Sequence, residues 1–118
     1  MTAPNIAGLT TVTGKTALAT VTTSASDLVS NPAASNKVFK INSLMISNID
    51  NSSSADIDVW IERGGAAYIA HETPIAANET LTVLGKSRQI YLEEGDALRV
   101  SASANNDLQA ICSYEEIS

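Results

Sequence analysis

The side chains that could carry chemistry are few in this chain of 118 residues. His71 is its single histidine and Cys112 its single cysteine, so no metal site is predicted, since a zinc centre needs several nitrogen or thiolate ligands. A Ser-His-Asp centre could use His71, but no serine lies in the pattern of a nucleophile elbow. We therefore predict that His71 is a surface residue in a loop. Cys112 is predicted to be a buried, small apolar residue.

Carboxylates form two groups. Asp56 and Asp58 fall on the same face of a predicted strand, and Glu93, Glu94 and Asp96 cluster at a predicted turn. Either group could hold a hard cation, or a glycosidase could pair two carboxylates across a cleft. The spacing of a calcium loop is absent, and only 4% of the residues are aromatic, too few for sugar-stacking platforms. We interpret these carboxylates as solvated turn charges, with weak calcium binding at the turn as a minor alternative.

Gly14-Lys15-Thr16 resembles the end of a phosphate-binding loop. The preceding glycine, Gly8, leaves five intervening residues where that motif needs four. The segment that follows is also typical of a strand, so no helix N-terminus is offered to a phosphate. A simple turn is the preferred interpretation. With every catalytic arrangement failing on residue types or spacing, neither an enzyme nor a cofactor site is predicted.

Charge and hydropathy exclude further classes. The formal net charge is −6, from 7 basic and 13 acidic residues, and the basic residues are scattered, whereas nucleic-acid binding requires clustered Lys and Arg. Nothing approaches the ~20 consecutive apolar residues of a membrane span. No secretory signal is visible at the N-terminus. We therefore expect a protein made and kept in a cytoplasm, or exported only inside an assembly.

Short strands separated by turn residues predict an all-β protein. The turns include Gly64-Gly65, Thr73-Pro74 and Asn78-Glu79. This rhythm, without a convincing helix, is typical of an antiparallel β-sandwich, such as a jelly roll, or of a barrel. A phase change in the first long strand predicts a bulge near Asn42-Ser43, or burial on both sides. The predicted strands are Val38–Asn48, Ile57–Arg63, Ala66–Ala70, Thr80–Leu84, Gln89–Leu92, Ala97–Ser103 and Leu108–Glu115.

The first 36 residues differ from the rest because they carry only two charged side chains, Lys15 and Asp27. Strands are predicted at Leu9–Thr13 and Ala17–Thr23, joined around Gly14-Lys15, and a short helical turn remains possible near Ser26–Ser30. We predict a single domain in two parts. Residues 1–36 form an arm or hairpin that packs on the domain or on a neighbour, and residues 37–118 form the sandwich.

Gly64-Gly65 suits a two-residue hairpin turn, in which both positions take positive φ. That register sets Ile61 opposite Tyr68 and Trp60 opposite Ile69, and it places Tyr68 on the core face. Four apolar residues then fall where their neighbours point to solvent, and they are the candidates for a subunit contact: Trp60, Ile69, Tyr91 and Ile111. The alternative is that one sheet is covered on both faces, or that single apolar residues are merely exposed.

From Lys37 onward the chain resembles small virion proteins of tailed bacteriophages, a group that includes capsid decoration proteins and tail or neck components. The resemblance is carried by residues 37–65 (KVFKINSLMISNIDNSSSADIDVWIERGG), residues 92–103 (LEEGDALRVSAS) and residues 111–118 (ICSYEEIS). The resemblance from Lys37 onward covers about two-thirds of the chain, and the segments that carry it include no catalytic residue.

The resemblance implies a β-sandwich in a virion, made in the host cytoplasm. It also implies association with copies of itself, as a homotrimer, and with other virion proteins such as the major capsid protein. Capsid decoration is the first expectation, and a tail, neck or baseplate component is the alternative within that class. A carbohydrate-binding or receptor-binding module is the alternative of another class.

Overall fold

The computed structural model describes Gly8 and residues 11–118. Within that part of the chain, nine strands form two antiparallel sheets packed face to face. This confirms the predicted all-β sandwich. The strands are β1 (Val12–Val21), β2 (Ser26–Ser30), β3 (Val38–Asn48), β4 (Ala55–Glu62), β5 (Ala66–Ile75), β6 (Thr80–Leu84), β7 (Ile90–Leu92), β8 (Ala97–Ala102) and β9 (Leu108–Ile117).

The five-stranded sheet has the order β1-β9-β3-β6, and β7 pairs with the first half of β3. The four-stranded sheet has the order β2-β8-β4-β5. Of the nine described strands, only β4–β5 and β6–β7 are consecutive strands of the same sheet; every other connection crosses to the opposite sheet, so the chain links the two layers repeatedly. Each sheet therefore has one inner face toward the core and one outer face.

The core follows from alternation along the strands, because successive side chains point to opposite faces of a sheet. In β9, Leu108, Ala110 and Cys112 are fully or almost fully buried, and Ile111 between them is exposed. In β4, Ile57 and Val59 are fully buried against the same cluster. Small and branched aliphatic side chains thus fill a thin core with little help from aromatic residues.

The predicted bulge in β3 is confirmed. The register of β3 against β9 shifts between Ile41 and Ser43, which leaves Asn42 unpaired. The extra residue changes the alternation, so that Phe39 and Ile41 before the bulge and Leu44 after it all face the core.

The hairpin predicted around Gly14-Lys15 is wrong. These residues lie inside the continuous strand β1, where Gly14 is opposite Glu115 and Lys15 is opposite Tyr114. The ten residues of β9 provide a full-length antiparallel partner, which holds the Thr- and Ala-rich segment extended where local turn chemistry suggested a break. The predicted strand Leu9–Thr13 falls partly outside the described residues.

The segment at Ser26–Ser30 is strand β2, not a helical turn. It and β1 each form one edge of a sheet. The division of the domain at residue 36 stays a prediction.

The predicted register of the glycine hairpin is also wrong near the turn. Glu62 lies opposite Ala66, so the loop contains Arg63, Gly64 and Gly65, and Trp60 lies opposite Tyr68. Both glycines do take positive φ, at 66° and 155°. A shift between the Trp60 and Val59 pairs then restores the predicted partner of Val59.

The turn predicted at Thr73-Pro74 is absent, because β5 continues to Ile75. Pro74 is tolerated there since β5 is an edge strand, where a missing N–H need not break the ladder. His71 consequently lies in a strand and not in a loop, although its side chain is exposed as predicted.

Candidate assembly surface

The outer face of the five-stranded sheet carries a broad surface without charge. Strand pairing aligns outward residues of β1, β9, β3 and β6 in rows, one of which contains Leu18, Ile111, Met45 and Thr82. We call this surface the neutral face. It consists of Thr16, Leu18 and Thr20 of β1, Gln109, Ile111 and Ser113 of β9, Ser43, Met45 and Ser47 of β3, and Thr80 and Thr82 of β6.

An apolar stripe crosses the middle of the neutral face. Leu18 is 73% exposed, Ile111 38% and Met45 36%, and the three lie side by side on adjacent strands. Between β1 and β9 the surface is hollowed into an open groove of ≈ 410 Å³, lined on its outer side by Leu18, Thr20, Gln109 and Ile111. Three neighbouring exposed aliphatic side chains are a different feature from isolated ones, which are ordinary on protein surfaces.

The polar residues of the neutral face are suited to burial. All are Ser, Thr or Gln, and Ser47 and Thr80 already share a hydrogen bond between their hydroxyl oxygens, 3.0 Å apart. Burying an ionised side chain is costly unless it is paired, whereas a hydroxyl can be satisfied by one hydrogen bond. Short side chains also lose little rotamer entropy when they are ordered. In a chain with net charge −6, this face presents no unpaired charge to a partner.

Charges resume beyond the bulge of β3. Lys40 lies between Glu115 of β9 and Tyr91 of β7. On the inner side of the same end of the sheet, Glu116, which pairs with the core residue Phe39, accepts hydrogen bonds from Lys15, at 2.8 Å, and from Lys37. These bonds hold the pKa of Glu116 below its ordinary value. The neutral face therefore ends at a charged border, and Tyr91 lies in that border.

The outer face of the four-stranded sheet is the opposite kind of surface, and we call it the charged face. Its principal residues are Asp27 of β2, Arg99 of β8, Asp58, Trp60 and Glu62 of β4, and Tyr68 and His71 of β5. Asp27 Oδ1 lies 2.8 Å from Arg99 Nε. The Arg99 guanidinium carbon lies 5.9 Å from the centroid of the Trp60 ring.

Trp60 is covered by its own chain. Its ring centroid lies 5.6 Å from that of Tyr68, and its Nε1 donates to Glu62 Oε1 at 3.0 Å. Tyr68 in turn packs on His71, whose Nδ1 lies 3.0 Å from Asp58 Oδ1. With Arg99 above it as well, Trp60 is only 7% exposed, yet it is not part of the core cluster.

The structure separates the four residues predicted from sequence as subunit contacts. Ile111 lies at the centre of the neutral face, and Tyr91, 47% exposed, lies at its border. The predicted Trp60–Ile69 pair does not form, because the irregular register of β5 turns Ile69 toward the core. Tyr68, predicted to face the core, is instead 53% exposed on the charged face. The contact role of these residues stays a prediction.

Sequence reasoning missed Leu18 and Met45. Met45 was detectable, because it has the opposite parity to Leu44 and Ile46 in the second half of β3. Leu18 was obscured by the false turn at Gly14-Lys15. Its position beside Ile111 depends on the pairing of strands that are distant in sequence.

In the turn that contains Glu93, Glu94 and Asp96, two of the three carboxylates bind Arg63. Arg63 donates from Nε to Asp96 Oδ1 at 2.7 Å, and from Nη2 to Asp96 Oδ2 at 2.6 Å and to Glu93 Oε2 at 2.7 Å. Burial raises the pKa of Asp96, but the bonds from Arg63 and from the Glu93 amide outweigh it, so the pKa is lowered. No group of three or more His, Cys, Asp or Glu among the described residues is arranged to hold a metal ion.

Cys112 lies on the inner face of β9, next to Ile111 on the outer face. It is fully buried, and burial raises its pKa to about 12, so the thiolate form is scarce at neutral pH. In the described part of the chain no helix has the length and hydropathy needed to cross a membrane.

Two solved structures share this fold. One is the acidic stable capsid of the Helicobacter pylori bacteriophage KHP30, at 9% identity and a TM-score of 0.54 over 93% of this chain and 90% of that one. The other is from Bacillus endospore appendages, described as a novel family of disulfide-linked pili, at 12% identity and a TM-score of 0.51 over 92% and 88%. No protein-family model and no curated protein matches the chain. At such identities the likeness shows the fold alone.

Proposed function

We propose that this protein is a non-enzymatic structural subunit of a bacteriophage particle, with capsid decoration as its first role. The observation that carries the proposal is the neutral face, in which uncharged polar side chains surround a three-residue apolar stripe. A surface of this kind favours burial against protein over exposure to water. The fold shared with a phage capsid structure supports a particle as the site of that burial.

The mechanism is adhesive. Each contact that buries the apolar stripe removes aliphatic surface from water, at about 25 cal/mol per Å². Repeated over the copies in a shell, such contacts raise the free energy needed to open it, since binding to the folded, assembled state stabilises that state by mass action. No covalent bond is made or broken in such a contact.

A bacterial surface fibre is the second candidate, favoured by the shared fold with pili of Bacillus endospore appendages. Those pili are described as disulfide-linked, and here the single cysteine is buried in the core. A fibre of this chain would therefore be held by non-covalent contacts in its folded state. The tail, neck or baseplate role remains the alternative within the phage class.

A carbohydrate-binding module is less well supported. Sugar platforms present exposed aromatic rings, and on the charged face Tyr68 is exposed whereas Trp60 is covered. A glycan array with the purified protein tests this alternative directly.

The test measures the copy number of the chain in purified particles. Quantitative mass spectrometry of purified particles should find the chain at a fixed stoichiometric ratio to the major capsid protein. The same measurement on particles carrying Met45→Lys should show a large loss, because the substitution puts an unpaired charge in the stripe. Tyr91→Lys, at the charged border, is the matched control and should be retained. Absence of the chain from particles, or equal retention of both variants, would contradict the proposal.

A further inference from the structure

Strand β1 leaves one edge of the five-stranded sheet open. Thr11 and Ser118 exchange both backbone hydrogen bonds at 2.9 Å. This pair shows which residues of β1 direct their backbone groups at β9. Because the pattern alternates, odd-numbered residues of β1 bond to β9 and even-numbered residues point their N–H and C=O groups away from it. The outward groups belong to Val12, Gly14, Thr16, Leu18 and Thr20, and no strand among the described residues pairs with them.

The other sheet edges of the described chain carry features that discourage pairing. β2 has five residues and a register shift, and β7 has three residues. β6 has five residues and a shift against β3. β5 is long, but it contains Pro74, irregular register and a residue with positive φ at Glu72. Short length, bulges, proline and charge are the usual means of protecting an edge.

β1 has none of these features. Its ten residues pair with β9 without a register shift, they include no proline, and Lys15 is their only charge. A long, regular, nearly uncharged edge is a template for another strand. Since the other edges of the chain are protected, the edge of a second copy that fits it best is β1 itself.

We propose that β1 pairs antiparallel with β1 of a second copy about a two-fold axis at Leu18, which joins two five-stranded sheets into one. The inference deepens the proposed function by naming the first partner of the subunit as another copy of this chain. It predicts even-numbered oligomers, in contrast to the homotrimer that the sequence resemblance implies.

The register follows from side-chain direction. Residues opposite each other in an antiparallel pair project to the same face, so a two-fold axis normal to the sheet must pass beside a residue that opposes itself. With Leu18 at that position, Thr16 lies opposite Thr20 of the second copy and Lys15 lies opposite Val21. The apolar stripe then runs unbroken through Met45, Ile111 and Leu18 into the same three residues of the second copy, and each Leu18 side chain gains the other as a neighbour.

Charge favours this contact over others between identical chains. Two copies that each carry −6 repel in general. The β1 residues of the outer face are Val, Gly, Thr and Leu, which carry no charge. The one charged residue of β1, Lys15, lies opposite Val21 and therefore far from Lys15 of the second copy. The approach therefore brings no like charges opposite each other.

A disulfide scan tests the register. Leu18→Cys places two thiols on residues that form a hydrogen-bonded pair, with Cα atoms about 5.5 Å apart, within the range that a disulfide spans. We expect near-complete oxidation to a species of twice the 12.3 kDa protomer mass. Val12→Cys is the matched control on the same strand and face; in this register the two copies of that residue lie about 40 Å apart, and no crosslink is expected. The parent chain should not crosslink because Cys112 is buried.

A proline pair tests the edge itself. Thr16→Pro removes an N–H that points to the open edge, so it should leave the fold intact and convert the dimer to a monomer in sedimentation. Ala17→Pro removes an N–H directed at β9 and should lower the unfolding temperature. A chain that is monomeric at millimolar concentration, a dimer retained in Thr16→Pro, or equal crosslinking of the two cysteine variants would overturn the inference.

The two proposals fail separately. Stoichiometric incorporation of a monomeric chain into particles would reject the β1 pairing and leave the proposed function standing. A crosslinked dimer that never appears in particles would reject the proposed function and leave the β1 pairing standing.

Discussion

The two outer faces of this sandwich bury hydrophobic side chains in different ways. On the charged face the indole of Trp60 is covered by Tyr68 and Arg99 of the same chain. The neutral face has three smaller aliphatic residues, and all remain open to solvent. The apolar group of the charged face is thus covered within one protomer, whereas the aliphatic groups of the neutral face are left in contact with water.

The difference shows that a bulky residue at an outward position is not enough to identify a contact surface. Trp60 is flanked by ionised groups that can fold over it, and its own strand neighbour Glu62 accepts its N–H. Apart from Met45 and each other, the outer-face residues beside Leu18 and Ile111 are Thr, Ser and Gln, none of which covers them. What surrounds an apolar side chain decides whether it is closed off within the protomer.

The largest expected effect is a loss of stability caused by a substitution on the charged face. Trp60→Ala should lower the free energy of unfolding by about 3 kcal/mol, because it removes a nearly buried indole and its partners close the gap only in part. Urea denaturation measures the change, and sedimentation should show unaltered association. Tyr68→Ala, at an exposed position of the same cluster, is the control and should cost less. Lost association with unchanged stability in Trp60→Ala would reverse the roles of the two faces.

The next effect is on association through the neutral face. Ile111→Lys should weaken binding to the particle at least about tenfold, or 1.4 kcal/mol, because a buried contact would then enclose an unpaired ammonium. Its unfolding free energy should change by no more than about 0.5 kcal/mol, as expected for an exposed position. A binding titration onto particles that lack the chain, together with urea denaturation, makes both measurements. Tyr91→Lys, in the charged border, should associate normally; equal weakening would extend the contact surface to that border.

Acid should lower the stability of the folded protomer, because the carboxylates that it protonates lie outside the neutral face. The pKa values of Asp96 and Glu116 are lowered in the folded state, so their contribution to stability is complete above about pH 5 and is lost as the pH falls through the folded values. Melting temperature measured from pH 7 down to pH 3 should therefore fall below about pH 4. Asp96→Asn should reduce this dependence. A melting temperature that rises on acidification would contradict the assignment.

The smallest effect concerns adjacent residues on β9. Cys112 on the inner face should not react with a thiol reagent while the protein is folded, because its pKa is raised and the residue is buried. Ile111→Cys, one position away on the neutral face, should react at the rate of an exposed thiol. Mass spectrometry after brief labelling separates the two. Rapid labelling of Cys112 in the native protein would show that the sheets open readily.

Local patterns accounted for much of the fold. Alternation in β4, β8 and β9 predicted strands and most inward residues, and the phase change in β3 predicted its bulge. The errors came where a distant partner overruled a local signal. Gly14-Lys15 is extended because β9 pairs along its whole length, and Pro74 sits in a strand because that strand is an edge.

The contact residues were predicted less well than the fold. Ile111 and Tyr91 are exposed as their parity indicated, but one extra residue in the β4–β5 loop exchanged Tyr68 for Ile69 beside Trp60. A shift of one residue moves every side chain to the opposite face. Such a shift depends on turn geometry and packing, which a single sequence does not contain.

The sequence by itself determined that the chain is all-β and that its core is aliphatic. These properties depend on residue type and on spacing within one strand. The tertiary structure alone decided that Leu18, Ile111 and Met45 form one stripe, and that β1 is an edge strand among the described residues. Those features arise from pairing between strands up to about a hundred residues apart, because the side chains of a sheet surface are brought together by backbone hydrogen bonds across strands and not by proximity in sequence.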